Sequence, residues 1–192
     1  MAHNRVVIAF VAENSGLTEQ HWLNRTAAWL APEDEDGALR SKIIHCELFF
    51  PNAVGEARAG NAYGIFWGGP VWSTNSKRYS NKDYLFKTIP LNSAQKKRMV
   101  NYLDAQVGKG FNHIGYASFL TPCSVSGNLP GMERTFYCSQ LTMSALNESG
   151  TFGASVHLDE NVPPHAVFSM LAPYSTLASH PVRRMDFSKL DF

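Results

Sequence analysis

The segment FYCSQLTMSAL (136–146) places a single cysteine at the point where a loop becomes a helix. Leu141, Ala145 and Leu146 recur at helical spacing, which predicts a short, half-buried helix after the cysteine. The unpaired N–H groups and the dipole at a helix N terminus favour an anion, so a cysteine there ionises more readily to a thiolate. Cys138 is therefore a candidate nucleophile. The alternative is a small buried apolar side chain, which is what most cysteines are.

A thiolate nucleophile needs a histidine within hydrogen-bond reach and a third group that orients it. Of the seven histidines, only His45 lies inside a predicted strand, SKIIHCELFF (41–50). Strand alternation directs Ile43, His45, Glu47 and Phe49 to one face and Ile44, Cys46, Leu48 and Phe50 to the other. The second face is wholly apolar and predicts a core position for Cys46. The first face carries a His–Glu pair that is either used in a site or exposed to water.

The other elements follow from hydrophobic pattern and turn residues. Strands are predicted at 6–12, 41–50, 61–73 and 84–91, the third with a bulge or bend at Gly68, Gly69 and Pro70. Helices are predicted at 19–30 after a Thr18 cap, at 94–107 after a Ser93 cap, at Cys138 and after the Pro163–Pro164 pair. In the second of these helices, the apolar stripe is Met99, Val100, Leu103 and Val107, and Gly108 ends the helix. With no repeat or linker, one α+β domain over residues 1–192 is predicted.

Composition limits the classes of function. The chain has 192 residues, of which 44% are hydrophobic and 17% charged, with a net charge of +1. This balance predicts a globular protein and argues against nucleic acid as a partner. Three cysteines without paired spacing predict free thiols in a reducing compartment. The run VVIAFVA (6–12) is short for a signal-peptide core and for a membrane span, so we expect a cytoplasmic protein of a cell or a virus.

Several chemistries have no matching pattern. GKGFN (108–112) follows a helix but lacks the Ser or Thr that should come after the lysine of a nucleotide-binding loop. The sequence has no HExxH and no CxxC, so neither a metal nor another cofactor is expected. Cys123 ranks behind Cys138 as a nucleophile because its segment, TPCSVSG, gives it no helix dipole.

Three motifs together resemble a known family. HCELFF on a strand, GKGFN after a helix and FYCSQL opening another helix are similar to the circularly permuted branch of the papain-like fold. This is the NlpC-type thiol hydrolase superfamily, which includes the lecithin:retinol acyltransferase-like proteins. In this branch the histidine strand precedes the cysteine helix, as His45 precedes Cys138 here. The resemblance covers residues 5–172, including VPPHAVFSML.

The resemblance implies a permuted papain-like α+β fold with a small central antiparallel sheet of about four to six strands packed against helices. It also implies a catalytic cysteine at a helix N terminus. Carried onto this sequence, it makes Cys138 the nucleophile and His45 the general base. Glu47 matches the acidic position of the strand motif and would orient His45. Asn61, at the start of the next strand, is the rival for this third role.

Two further positions match the motif around the cysteine. Tyr137 corresponds to an aromatic residue that often precedes the nucleophile, where its hydroxyl or backbone would help to hold the oxyanion. Gln140 stands where these proteins often have Glu. Because Gln is isosteric with Glu, the resemblance implies altered substrate contacts rather than an inactive site.

The leading hypothesis is a cysteine hydrolase, a peptidase or amidase without a cofactor, acting on a peptide, an amide or a related acyl bond. A second hypothesis is a lipid acyltransferase or phospholipase, with Trp67, Trp72 and Phe119 lining an acyl pocket. A third is a non-catalytic binding or structural protein, for example a viral one, that retains the fold. The sequence makes no prediction of the substrate or of the oligomeric state.

Overall fold

The computed structural model describes residues 4–12, 43–51, 61–75, 77, 79, 84–118, 135–153 and 156–172. Over these residues the protein is α+β, with a five-stranded antiparallel sheet and four helices. The α+β prediction and the expected antiparallel sheet of about four to six strands are thus confirmed, whereas the hydrophobic pattern predicted only four strands. The predicted helix at 19–30 with its Thr18 cap, Cys123 and Phe119 lie outside the described residues.

The sheet has the strand order β4-β3-β2-β1-β5. Its strands are β1 (Arg5–Ala12), β2 (Ile43–Phe50), β3 (Asn61–Ile65), β4 (Val71–Thr74) and β5 (Tyr84–Pro90). Every neighbouring pair is antiparallel. β1 is apolar on both faces, and its residues 6–11 are at most 4% exposed, which suits a strand flanked on both sides by partners.

The segment predicted as one strand at 61–73 is instead a hairpin of β3 and β4. The chain reverses at residues 66–70, where the Gly69 N–H donates to the Phe66 carbonyl at 3.0 Å. Gly68 has a φ of 70°, in the left-handed region that a side chain disfavours, and Pro70 has no N–H for a ladder. The Gly–Gly–Pro run therefore marks a turn between strands and not a bend within one.

Strict alternation fails at the first residues of β2. β1 and β2 pair Val11 with His45 and then Ala12 with Ile43, so a β-bulge skips Ile44. As a result, Ile43 packs in the core beneath the helices and Ile44 packs with Val11 on the other face, the reverse of the predicted faces. Beyond the bulge the alternation holds, and the residues that face the helices are Cys46, Leu48 and Phe50.

Helix α1 (Ser93–Gln106) begins one residue earlier than predicted, because its N-cap is Asn92 and not Ser93. The Asn92 side chain accepts from the Gln95 N–H at 2.8 Å, and the Gln95 side chain accepts from the Asn92 N–H at 2.9 Å. Met99 and Leu103 are fully buried, whereas Val107 lies beyond the helix and is 43% exposed. The predicted apolar stripe is therefore one residue too long.

The remaining described helices follow α1 along the chain. β6 (Gly110–Phe111) pairs in parallel with β7 (Thr135–Phe136), and α2 (His113–Ser118) follows β6. α3 (Cys138–Ser149) lies between β7 and α4 (Pro164–Met170). The main core lies between one face of the sheet and α1, α3 and α4. Among the described residues, no helix has the length and apolar character needed to cross a bilayer.

Candidate active site

The candidate site lies where β2 separates from β3. The two strands pair at Leu48–Tyr63, Phe49–Ala62 and Phe50–Asn61, and the part of β2 that precedes these pairs meets the first turn of α3. There the Cys46 backbone N–H donates a hydrogen bond to the Cys138 sulfur. The side chains of His45 and Cys46 leave opposite faces of β2, yet both hydrogen-bond to the same sulfur. This is possible because Cys138 lies along the edge of the strand.

Cys138 is the first residue of α3 and is 4% exposed. Hydrogen bonding from the Cys46 thiol, together with attraction to His45, holds the pKa of Cys138 well below its ordinary value despite the opposing effect of burial. The N-cap residue, Tyr137, makes no side-chain hydrogen bond to the helix. The first N–H groups of α3 are therefore not capped by that side chain and favour an anion at this end of the helix.

His45 is the cation that faces this thiolate. Burial lowers the pKa of His45, but attraction to Cys138 and hydrogen bonds to Cys138 and Glu47 outweigh it and raise the pKa to about 9. The imidazole also stacks on Phe66, with ring centroids 5.2 Å apart and planes at 20°. The ring is therefore held between Cys138 and Glu47 in its protonated form at neutral pH.

Glu47 is the group that contacts the other side of this pair. Its Oε1 atom lies 3.3 Å from His45 Nε2, and its side chain is 0% exposed. It also accepts hydrogen bonds from Lys77 Nζ at 2.5 Å and from the Tyr79 hydroxyl at 2.9 Å. Burial raises the pKa of Glu47, but the hydrogen bonds and charges of His45 and Lys77 outweigh it, so the pKa falls below its ordinary value.

The other predicted site residues lie elsewhere. Asn61 is exposed and pairs with Phe50, five residues along β2 from His45, or about 16 Å at the usual rise of a strand. Its side chain hydrogen-bonds to Tyr63. The structure therefore brings Glu47, and not Asn61, to His45.

Tyr137 and Gln140 turn toward the segment before α4. The Tyr137 hydroxyl donates to the Glu160 carbonyl at 3.3 Å and lies 3.4 Å from Asn161 Oδ1. Gln140 Nε2 donates to the same Asn161 oxygen at 3.4 Å. The Tyr137 hydroxyl is thus engaged away from the thiol, so any contribution of Tyr137 to an oxyanion site comes through its backbone.

Three residues of the site were missed by the sequence analysis: Cys46, Lys77 and Tyr79. Cys46 faces the core as predicted, but burial and the neighbouring Cys138 thiolate raise its pKa, so it remains a neutral donor. Its Sγ atom also lies 3.5 Å from Thr142 Oγ1, one turn along α3 from Cys138. Lys77 and Tyr79 lie in a polar stretch between β4 and β5 in which no local pattern singles them out.

No family model, curated protein or solved structure matches this chain. Among the described residues there is no cluster of three or more His, Cys, Asp or Glu side chains that could hold a metal ion. Function is therefore inferred from the contacts of Cys138, His45 and Glu47 themselves.

Proposed function

We propose that this chain is a cysteine hydrolase, a peptidase or amidase that cleaves an amide or related acyl bond on a permuted papain-like fold. The observation that carries the proposal is the hydrogen-bonded series from Cys138 through His45 to Glu47. A nucleophile, a proton carrier and an orienting carboxylate in contact are the parts that a thiol hydrolase needs. The opposite pKa shifts of Cys138 and His45 favour a thiolate–imidazolium pair at neutral pH.

In the first half of the reaction, the Cys138 thiolate attacks the carbonyl carbon and forms a tetrahedral intermediate. The N–H groups at the start of α3 donate to the resulting oxyanion, with the Cys138 N–H foremost. When the intermediate collapses, the C–N bond breaks and the His45 imidazolium gives its proton to the leaving amine. The product is a thioester on Cys138 and a neutral His45.

In the second half, neutral His45 takes a proton from a water molecule as its oxygen attacks the thioester carbonyl. Collapse breaks the C–S bond, releases the carboxylic acid and restores the thiolate–imidazolium pair. Glu47 keeps the imidazole ring in one orientation through both halves. Its own proton affinity is held low by His45 and Lys77, so it remains a carboxylate.

The test is a screen of electrophilic acyl and vinyl-sulfone probes together with fluorogenic amides, with the labelled residue mapped by digestion and mass spectrometry. We expect the adduct on Cys138 and turnover of an accepted amide. Cys138→Ala should abolish turnover while the far-ultraviolet circular dichroism spectrum stays that of the wild type. Retained turnover in this variant contradicts the assignment.

Cys46→Ala is the matched control, because it removes a second buried thiol from the same site. The adduct should remain on Cys138 in this variant, with its formation shifted to higher pH because a hydrogen bond to the thiolate is lost. An adduct on Cys46 in the wild type would mean that Cys46, and not Cys138, is the nucleophile. A stable adduct formed only from phospholipids, with no amide turned over, would favour the lipid acyltransferase hypothesis instead.

A further inference from the structure

Four aromatic side chains surround the ammonium group of Lys77. Its Nζ atom lies 4.6 Å from the ring centroid of Trp72, 5.0 Å from Phe66, 5.4 Å from Tyr79 and 5.7 Å from Tyr84. Each distance is within the range of a cation–π interaction, and we refer to these four rings as the aromatic box. The Lys77 side chain is 18% exposed, so the ammonium is held largely out of water.

The open side of the aromatic box is closed by Glu47. Lys77 Nζ lies 2.5 Å from both carboxylate oxygens, and one of these, Oε1, is also the oxygen that contacts His45. A carboxylate that is 0% exposed is costly to keep ionised unless cations and hydrogen bonds compensate for the lost water. Phe66 extends the contact further, because it stacks on both His45 and Trp72.

We infer that Lys77 is a positioning residue for the hydrolase: held in the aromatic box, its ammonium keeps Glu47 ionised and directed at His45, and thereby sustains the Cys138 thiolate. The inference rests on the proposed function for its catalytic meaning. Physically, four neighbouring groups carry charges of alternating sign: the thiolate, the imidazolium, the carboxylate and the ammonium. We refer to this row of charges as the relay, without implying proton transfer along it. Lys77 supplies the fourth charge and touches none of the reacting atoms.

Several titratable groups face this relay from the elements packed against it. On the carboxylate side they are His45, Lys77 and the Tyr79 hydroxyl. On the thiolate side the Cys46 thiol lies on β2, Tyr116 on α2, and Tyr137 directly precedes α3. Burial raises the pKa values of Tyr79, Tyr116 and Tyr137, so these phenols are neutral near pH 7. Near pH 7, therefore, the charges that can change in this region are those of the relay itself.

Removing the Lys77 ammonium destabilises the Cys138 thiolate–imidazolium pair, whichever way Glu47 responds. If Glu47 stays ionised, the site loses a positive charge and the thiolate is less stabilised. If Glu47 takes up a proton instead, the imidazolium loses its anionic partner and the pKa of His45 falls, so the neutral thiol–imidazole pair competes better with the ion pair. Both routes make the thiolate–imidazolium pair less favourable, and the first, in which Glu47 keeps its charge, raises the pH at which the Cys138 thiol ionises.

The experiment measures the rate of iodoacetamide alkylation of Cys138 against pH, resolved to that residue by peptide mass spectrometry. Lys77→Met keeps the length of the side chain and removes the charge. We expect its alkylation midpoint to rise by roughly one pH unit, or about tenfold less thiolate below the midpoint. Lys77→Arg retains a cation and should stay closer to the wild type than Lys77→Met does.

Chemical rescue separates the charge from a merely structural effect. In Lys77→Ala, added n-propylammonium should re-enter the aromatic box and move the midpoint back toward the wild-type value, whereas n-propanol should not. Lys87→Met is the matched control. Lys87 is also a largely buried lysine, with its Nζ atom 4.3 Å from the Phe168 ring centroid, and its loss should leave the Cys138 midpoint unchanged.

An unchanged midpoint in Lys77→Met, or an equal shift in Lys87→Met, overturns the inference. The inference is also overturned if n-propylammonium does not rescue Lys77→Ala and the midpoint of Lys77→Arg is shifted as well. Glu47→Gln distinguishes this failure from failure of the proposed function. If Glu47→Gln moves the midpoint while Lys77→Met does not, the catalytic series stands without Lys77. If neither moves it, the series from Cys138 to Glu47 is itself wrong.

Discussion

At the scale of single residues, the opposite pKa shifts of Cys138 and His45 favour transfer of the thiol proton to the imidazole. The pKa of Cys138 is lowered by hydrogen bonding from Cys46 and by His45, and the pKa of His45 is raised to about 9. The ion pair is therefore formed across neutral pH. It ends at high pH when His45 gives up its proton, and at low pH when Cys138 regains one.

The upper end of this range is directly measurable. We expect the His45 Cε1–H nuclear magnetic resonance signal to titrate with a midpoint of about 9, well above the ordinary value of 6.5. Glu47→Gln should lower this midpoint because it removes an anion and a hydrogen-bond acceptor from the imidazolium. His45→Asn identifies the signal by its disappearance. A midpoint near 6.5 in the wild type would mean that the thiolate–imidazolium pair does not form.

At the scale of secondary structure, β3 makes room for the site by having glycine at position 64. A Cβ atom there would lie 2.6 Å from Trp72 Cζ2 and 3.2 Å from Glu47 Cγ. The first distance is too short for any side chain, because the indole ring is rigid. Gly64 is thus where the hairpin allows Trp72 and Glu47 to approach each other.

Gly64→Ala should therefore disturb stability and chemistry together. We expect a loss of about 1–3 kcal/mol in the free energy of unfolding, measured by urea denaturation, from overpacking at a buried position. The alkylation midpoint of Cys138 should rise in the same variant because Glu47 is displaced. Gly110→Ala, whose Cβ atom would find its nearest neighbour at 3.8 Å, is the control and should change neither. A silent Gly64→Ala would contradict the described packing of Trp72 on β3.

The start of α1 gives a second element-scale prediction. Asn92→Ala should cost about 1 kcal/mol in the free energy of unfolding, because it removes the side-chain cap of the helix. Ser93→Ala removes only an exposed hydrogen bond with Asn4, of 2.7 Å, and should cost less. If Ser93→Ala proves the more costly of the two, Ser93 and not Asn92 is the cap.

This position also shows what sequence can decide. Asn92 and Ser93 are both good N-caps, but only Asn92 has Gln three residues later, which is the pattern of a capping box. That local rule identifies Asn92, so the prediction of Ser93 as the cap was wrong for a reason that the sequence itself contains. The bulge at Ile44 was not predictable in this way, because register depends on which residues of β1 stand opposite.

At the scale of the whole molecule, apolar runs and turn residues predicted β1, β2, β5 and the helix α1, since these signals are local, but they merged β3 and β4 into one strand. The contact of His45 with Glu47 also followed from alternation on one strand. The approach of Lys77 and Cys46 to the site did not, because it depends on how the hairpin, the bulge and α3 pack together. Charge pairs between residues 30 or more positions apart leave no local pattern in the chain.

The core beneath the sheet provides a global stability test. Leu103→Ala should lower the free energy of unfolding by about 2–5 kcal/mol, because Leu103 is 0% exposed and its loss leaves a cavity. Val107→Ala belongs to the same predicted stripe but should change it by less than about 0.5 kcal/mol, since Val107 is exposed. Chemical denaturation of both variants measures the difference. Equal losses would mean that α1 continues through Val107.

The neighbouring sulfur atoms of Cys46 and Cys138 have a consequence for oxidation. Hydrogen peroxide transfers an oxygen atom to the Cys138 thiolate, giving a sulfenic acid and hydroxide, and the Cys46 thiol can then displace water to form a disulfide. We expect peroxide to remove the alkylatable thiols of Cys46 and Cys138 together, with loss of two hydrogens from the chain, and dithiothreitol to restore them. In Cys46→Ser the sulfenic acid should persist and be trapped by dimedone. Equal dimedone labelling of the wild type would contradict this. The residue that helps to ionise the nucleophile would then also shield it from irreversible oxidation.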